Sequence, residues 1–244
     1  MAINENREEF KVYNNVFDNF TIKVLQKLIA QGIIDGLSGI ISLGKEANVF
    51  IGLKDETPFA VKIYRVKACN FNRMFDYLSQ DIRFSGILKN RRKVILEWVR
   101  REYRNLIVAY QNNVFVPKPI AHRDNVIIME FIGNKERKEP ARLLKDLPPK
   151  DPEKFLKELT ENYKKLVIKG KIVHGDLSEF NILNFNEHPV MIDFSQGCSV
   201  ESGFGLELLK RDLEKIRNYF KKFNIEFDVD TTYKEILKKL ENKK

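Results

Sequence analysis

The chain has 244 residues, 43% of them hydrophobic, enough to build one two-lobed domain or two small ones and to exclude global disorder. Lys and Arg number 43 against 34 Asp and Glu, a formal charge of +9 that favours anionic partners: nucleotide, RNA or an RNA–protein particle. Two isolated cysteines, Cys69 and Cys198, lie outside any Cys-x-x-Cys or His/Cys cluster, which argues against a disulfide scaffold or structural zinc and for reduced thiols in a cytoplasmic protein. The N-terminal MAINENREEF has no apolar core, and no window approaches the ~18 apolar residues of a membrane-spanning helix, so no membrane partner is expected.

In chain order, residues 1–18 are polar with scattered aromatics. Ile22, Leu25, Leu28 and Ile29 then share one helical face, with Thr21 as a candidate cap and Gly32 and Asp35-Gly36 as the stop. Ile40 to Leu53 reads as strand, turn, strand, and FAVKIY, Phe59 to Tyr64, as a further short strand. Region 65–95, rich in Arg, Lys, Asn and Phe, shows no clean period and reads as a flexible insertion or long loop. A helix is expected from Ile95 to Tyr110, and a strand, VIIMEFI, before Gly133. After a charged, Pro-punctuated stretch at 134–150, helices are expected at 152–169, 206–223 and 232–240. The pattern is α+β, with an N-terminal helical extension (1–36), an N-lobe of antiparallel strands carrying the insertion (37–132) and a helical C-lobe (133–244). Nucleotide pockets commonly form in the cleft between such lobes.

Four segments carry candidate chemistry. HGDLSEFNIL, His174 to Leu183, sets Asp176 five residues before Asn181, and VMIDFSQ ends an apolar run on Asp193. Two acids and an amide in this order suit phosphoryl transfer: one acid takes the proton of an attacking hydroxyl, while the amide and the other acid hold Mg²⁺ against ATP phosphates. Apolar residues flank both stretches, which argues against a solvated surface loop. His174 reads as a bracing residue, whereas Ser178 and Glu179 suit either phosphate or solvent. SLGKEANVF, Ser42 to Phe50, is a short turn in which Gly44 would let backbone N–H groups, with Ser42 and Lys45, approach phosphate; a plain hairpin turn fits as well, because neither Gly-x-Gly-x-x-Gly nor a Walker A spacing is present. Lys62, inside an apolar strand, must either snorkel from an edge or pair with phosphate and a carboxylate. Glu102 is the carboxylate preferred over Glu97, because it shares a helical face with Trp98, Leu106 and Ala109.

Assembled, these segments resemble the RIO family of atypical serine/threonine protein kinases, and the Rio1 subfamily most. Rio1 members carry S-T-G-K-E-A-N-V, here with Leu43 in place of Thr. They carry K-I-Y at Lys62, W-x-x-x-E-x-R-N-L from Trp98 to Leu106, H-x-D-L-S-E-x-N at His174 and I-D-x-S-Q at Ile192. The Rio2 subfamily typically has Pro where Ser195 stands, and a winged helix that residues 1–36 are too short to hold. The resemblance runs from about residue 20 to 223 and, with the Lys-rich composition, suggests an archaeal source. It implies a trimmed two-lobed kinase fold without an activation loop. It also implies that Asp176 is the base, Asn181 and Asp193 hold Mg²⁺ or Mn²⁺, Lys62 meets ATP phosphates, and Glu130 to Ile132 form an adenine-binding hinge. By the same resemblance Asp193 itself accepts phosphate in an ATPase mode. The cellular role would be maturation of the small ribosomal subunit, with its RNA–protein precursor as partner. Two rivals stay open: a nucleotide-switched binding factor with little turnover, and an aminoglycoside-type phosphotransferase, which shares His-Gly-Asp-x-x-x-x-Asn.

Overall fold

A computed structural model describes residues 17–66, 69–79, 81, 83 and 89–242. The chain divides into two units, Met1–Cys69 with Ile120–Glu130, and Asn70–Pro119 with Phe131–Lys244.

In the first unit, helix α1 (Asn19–Ala30) starts at Asp18, whose carboxylate accepts the Thr21 N–H at 2.8 Å. Thr21 is therefore not the cap that its position suggested. It lies inside the first turn, buried, with Oγ1 accepting from Asn125 Nδ2 at 2.9 Å. Five strands follow: β1 (Gly36–Leu43), β2 (Ala47–Lys54), β3 (Thr57–Tyr64), β4 (Pro119–Arg123) and β5 (Val126–Glu130), in the order β1-β2-β3-β5-β4. Asp55 and Glu56, both at positive φ, form the two-residue turn between β2 and β3, a turn whose hand matches strand twist. Asp35 braces it, accepting from Lys54 Nζ at 2.9 Å and from the Asp55 N–H at 2.8 Å. Val24, Leu25 and Leu28 of α1 close one core with Ile34, Leu37, Phe50, Val61, Ile63, Val126 and Ile128. Each such side chain contributes roughly 1.5–3 kcal/mol on burial. The ladders align Ser42 with Val49, Val49 with Lys62, and Lys62 with Ile127, so these residues form one row on one face of the sheet.

The second unit opens with a departure from the sequence reading. Within 65–95 lies helix α2 (Phe71–Ser79), which buries Met74 and Leu78 and sets Tyr77 edge-on against Trp98 and Phe204. A two-turn helix shows its apolar stripe only once, so no period could register. Residues 67, 68, 80, 82 and 84–88 of that stretch, like 1–16 of the expected extension, lie outside the described residues. Helix α3 (Arg91–Gln111) begins four residues earlier than expected, because Asn90 caps it through the Lys93 N–H at 3.1 Å.

Short strands follow in and beside the charged, Pro-punctuated stretch: β6 (Gly133–Asn134) pairs with β7 (Glu139–Pro140), and β8 (Arg142–Leu143) joins a later hairpin. Helix α4 (Pro152–Ile168), capped by Asp151 with Pro152 in its first turn, buries Phe155, Leu159, Tyr163, Leu166 and Val167. Strand β9 (Ile172–Val173), the hairpin β10 (Ile182–Phe185) and β11 (His188–Met191), and β12 (Cys198–Ser199) frame the two chemistry-bearing loops. Helices α5 (Gly205–Phe220) and α6 (Val229–Glu241) complete the unit. No helix among the described residues is long and apolar enough to cross a membrane.

Candidate active site

The hairpin β10–β11 brings the two acidic segments together. Its turn, Asn186–Glu187, has both residues at positive φ, and the register pairs Ile182 with Met191. The ladder runs one step further, as the Ile192 N–H donates to the Asn181 carbonyl at 3.0 Å. Asn181 enters the hairpin opposite Ile192, and Asp193 follows as the chain leaves it. Asn181 Nδ2 donates to the Asp176 carbonyl at 2.8 Å and to Asp176 Oδ2 at 3.2 Å. A carbonyl oxygen only accepts, so the amide nitrogen is the end turned to Asp176 and the amide oxygen is the end turned away from it. Asp193 sits in the left-handed region at φ 62, a costly conformation for a residue with a side chain, and its Oδ1 accepts the Ser195 N–H at 3.3 Å. One amide oxygen and one carboxylate fit Mg²⁺, a hard cation that takes few protein ligands and completes its shell with phosphate oxygens and water. Among the described residues no group of three or more His, Cys, Asp and Glu could hold a metal.

The loop around Asp176 is held from several sides. His174 is fully buried, with Nε2 3.0 Å from the Ile192 carbonyl and its ring centroid 4.8 Å from that of Phe194, the bracing role expected of it. Gly175 has φ +78, and a Cβ there would stand 2.6 Å from the Gln196 carbonyl oxygen, so only glycine fits between His174 and Asp176.

Asp212 of α5, which sequence reasoning missed, is fully buried. Its Oδ2 accepts the Gly175 N–H at 2.8 Å and its Oδ1 the Leu177 N–H at 3.0 Å, the two peptide groups that flank Asp176. Tyr163 Oη donates to the same carboxylate at 2.8 Å. Burial raises the Asp212 carboxyl above its ordinary value, more than His174 and these hydrogen bonds lower it. Burial, and then Asp212 itself, push the Tyr163 phenol well up. The available signal was an acid standing among Leu208, Leu209, Leu213 and Ile216 on an apolar helical stripe. Lys215, one turn on, places Nζ 2.6 Å from Asp176 Oδ1; nothing in its sequence context distinguishes it.

Helix α3 holds the other loop. Arg101, fully buried and stacked 4.3 Å over Trp98, donates to the Ser195 carbonyl at 2.7 Å. Asn105 Nδ2 donates to the carbonyls of Phe194 at 3.1 Å and Gly197 at 2.8 Å. Its Oδ1 accepts from Arg83 Nη1 at 2.9 Å, and Arg83 also clasps the buried Asp81 at 2.6 Å. Glu102, on the same helix, is 3% exposed, whereas Glu97 is turned out to Arg100 at 2.5 Å; the inward carboxylate is the preferred one.

Ser178 is half-buried, and its carbonyl accepts the Asn181 N–H at 2.9 Å. Ile132, also half-buried, has its carbonyl occupied by the Ala141 N–H at 2.9 Å. In the first unit Glu130 ends β5 opposite Phe59. Lys62 is 7% exposed, with Nζ 5.2 Å from the Tyr64 ring centroid, so it is not a surface lysine at a sheet edge. The register places it in one row with Ser42. Ser42, Gly44 and Lys45 are exposed. The Gly44 N–H already donates to the Ala47 carbonyl at 3.0 Å and to Asn48 Oδ1 at 3.3 Å, so this amide closes the hairpin.

Enzymes that move phosphoryl groups use this chemistry, and a five-stranded antiparallel unit together with a mainly helical one is the protein-kinase kind of chain. The comparisons narrow the class. The family model for the RIO domain matches residues 48–234. The RIO-type serine/threonine-protein kinase Rio1 of Methanocaldococcus jannaschii is 40% identical over 236 residues, 97% of this chain and 79% of that protein. Its counterpart in Haloferax volcanii is 38% identical over 227 residues, 93% of this chain and 77% of that protein. The Rio2 kinase–ADP/Mg²⁺–phosphoaspartate complex from Chaetomium thermophilum shares the fold, with a TM-score of 0.65 at 19% identity over 90% of this chain and 73% of that one. The chain belongs to the RIO family of atypical serine/threonine protein kinases and, within it, to the Rio1 subfamily. The archaeal relatives support an archaeal source. The family match replaces the small-molecule phosphotransferase reading, and kinase membership implies ATP and a divalent metal.

Proposed function

We propose that the chain transfers the γ-phosphoryl group of ATP, with Mg²⁺ or Mn²⁺, to serine or threonine hydroxyls of a protein. The observation that carries this reading is the orientation of Asn181: its nitrogen is committed to Asp176, which turns its oxygen away from that acid, and its backbone carbonyl pairs with the Ile192 N–H, one residue before Asp193. When bound, the metal neutralises phosphate charge. The acceptor hydroxyl gives its proton to Asp176 as its oxygen bonds the γ-phosphorus; the bond from that phosphorus to the bridging β-phosphate oxygen breaks, and ADP leaves. Lys62 supplies positive charge to the phosphates, with Ser42, Gly44 and Lys45 of the exposed turn as further contacts. Backbone groups of Glu130 to Ile132 serve adenine, with the Ile132 N–H as the donor because its carbonyl is occupied.

In a second mode the Asp193 carboxylate attacks the γ-phosphorus directly and needs no base, as the phosphoaspartate in the related Rio2 complex suggests. Cleavage of the acyl phosphate by water then makes the cycle an ATPase. Incubation with γ-labelled ATP and Mg²⁺ tests both modes: an acid-stable, hydroxylamine-resistant label on protein serine or threonine marks the first, and a hydroxylamine-labile label on Asp193 the second. No label in either form contradicts the reading.

The cellular role we infer is maturation of the small ribosomal subunit, supported by the +9 charge and by the family resemblance. A nucleotide-switched binding factor with little turnover remains a second reading. What favours it is the shortness of the Phe194–Phe204 stretch, which holds a three-residue 3-10 turn and β12 but no activation segment. Binding to precursor particles that reverses on ATP addition, with turnover below one per particle cycle, would favour that reading.

A further inference from the structure

Helix α5 meets the catalytic loop along one face. Arg211 donates to the Gly175 carbonyl, Asp212 accepts the Gly175 and Leu177 N–H groups, and Lys215 reaches Asp176 Oδ1 at 2.6 Å. Arg211 and Asp212 touch only backbone in this loop, whereas Lys215 touches the side chain that takes the proton. The loop has no cation of its own between base and amide, since Leu177, Ser178, Glu179 and Phe180 fill that span. The cation beside the base therefore comes from a helix 39 residues downstream. Asp212, one turn before it, indexes that helix to the loop, so Lys215 is set within a side chain's reach of Asp176 by buried hydrogen bonds. Its side chain is 34% exposed, so the ammonium keeps donors for more than one partner.

We propose, on the phosphoryl-transfer reading above, that Lys215 is a positioning residue for Asp176. The two carboxylate oxygens are held unequally: Oδ1 by an ion pair at 2.6 Å, Oδ2 by an amide at 3.2 Å. Without Lys215 the carboxylate keeps only the longer bond and rotates away from the hydroxyl it must deprotonate. The ammonium also offsets the negative charge that gathers where the base, the Asp193 carboxylate and the phosphates converge. A half-exposed ion pair adds little to folding, so the loss appears in catalysis.

The test uses the full chain and four proteins besides wild type: Lys215→Met, Lys215→Arg, Asp176→Asn and the double variant Asp176→Asn/Lys215→Met. Lys215→Met is expected to lower kcat for transfer to a protein hydroxyl about 10- to 100-fold, as small misplacements of reacting groups do. ATP affinity and melting temperature should stay close to wild type, and Lys215→Arg should restore most of the rate. In the Asp176→Asn background, Lys215→Met should cost nothing further, because a residue acting through Asp176 has nothing left to position. In nucleotide-free protein, acylation of Lys215 by an amine reagent, read by mass spectrometry, should speed up in Asp176→Asn, where the ion pair is gone. Lys215→Met within twofold of wild type, additive losses in the double variant, or unchanged acylation overturns the proposal. If Asp176→Asn itself transfers at the wild-type rate, the base assignment on which the proposal rests fails instead; if the wild-type protein transfers nothing, the phosphoryl-transfer reading fails.

Discussion

The loop at 174–181 and the glycine turn at 42–48 are two short, charged, glycine-bearing loops, and they are built in opposite ways. The first is fastened at nearly every residue: His174 to Ile192, Gly175 and Leu177 to Asp212, Asp176 to Lys215, and Asn181 to the Asp176 carbonyl. The second is exposed from Ser42 to Lys45 and is closed at Gly44 by bonds to Ala47 and Asn48. Groups that make and break bonds are held by buried polar partners, which keep reacting atoms within tenths of an ångström. On the proposed function, the turn that would admit and release a nucleotide is left in solvent with few ties. Substitutions in the first region should therefore damage the chemical step or the fold, and those in the second should mainly change nucleotide affinity.

The sharpest break is expected at Asp193. On the proposed function, Asp193→Ala removes a metal-facing carboxylate and the nucleophile of the phosphoenzyme mode together, so label incorporation from ATP should fall below detection. Near-full activity would dismantle the account of that loop.

Asp212→Ala should be the most damaging change to the fold. It leaves two peptide N–H groups and the Tyr163 hydroxyl without an acceptor in a buried site, and removal of one partner from such a cluster costs about 3–5 kcal/mol. Denaturant unfolding reads this directly. Its pH dependence has a definite sign. The folded state raises the Asp212 carboxyl, so it holds a proton at pH values where the unfolded chain has lost it. This group's contribution to stability is thus fullest below the unfolded value, falls as pH rises through the folded value, and is constant above. Asp212→Asn should lack that slope.

Asn105→Ala strips the donor from the Phe194 and Gly197 carbonyls and should destabilise by about 1–3 kcal/mol, with a weaker response of unfolding to Mg²⁺. The smallest effect belongs to the glycine turn. A Cβ on Gly44 would stand 2.5 Å from the Ala47 carbonyl oxygen, so Gly44→Ala must open the turn. In an exposed hairpin this should cost less than about 1 kcal/mol. KM for ATP should rise while kcat holds. A kcat loss as large as that of the loop variants would erase the distinction between the two regions.

Much of this was legible in the residues. Asp176, Asn181 and Asp193 stand between apolar runs, and their spacing survives folding because a hairpin with a two-residue turn brings its ends together. Glu102 could be separated from Glu97 by helical phase alone. What stayed hidden depends on contacts between distant segments. Asp212 is 37 and 35 residues from the Gly175 and Leu177 amides and Lys215 is 39 from Asp176, and only the packing of α5 against the loop gives them a role. Helix α2 was missed because its apolar stripe is two turns long, and the Asp18 cap because Thr21 offered the same chemistry nearer the apolar face.

The most direct test of the central claim follows two products from one reaction. Asp176→Asn keeps the shape of the base and removes its basicity, a loss of about 10²–10⁴-fold for a step that needs a general base. Transfer to a serine or threonine hydroxyl needs one, whereas attack by the Asp193 carboxylate does not. With γ-labelled ATP and Mg²⁺, Asp176→Asn should therefore lose hydroxyl labelling by that factor while labelling of Asp193 and affinity for ATP change little. Equal losses in both products would show that Asp176 only holds geometry, and the base assignment would be wrong.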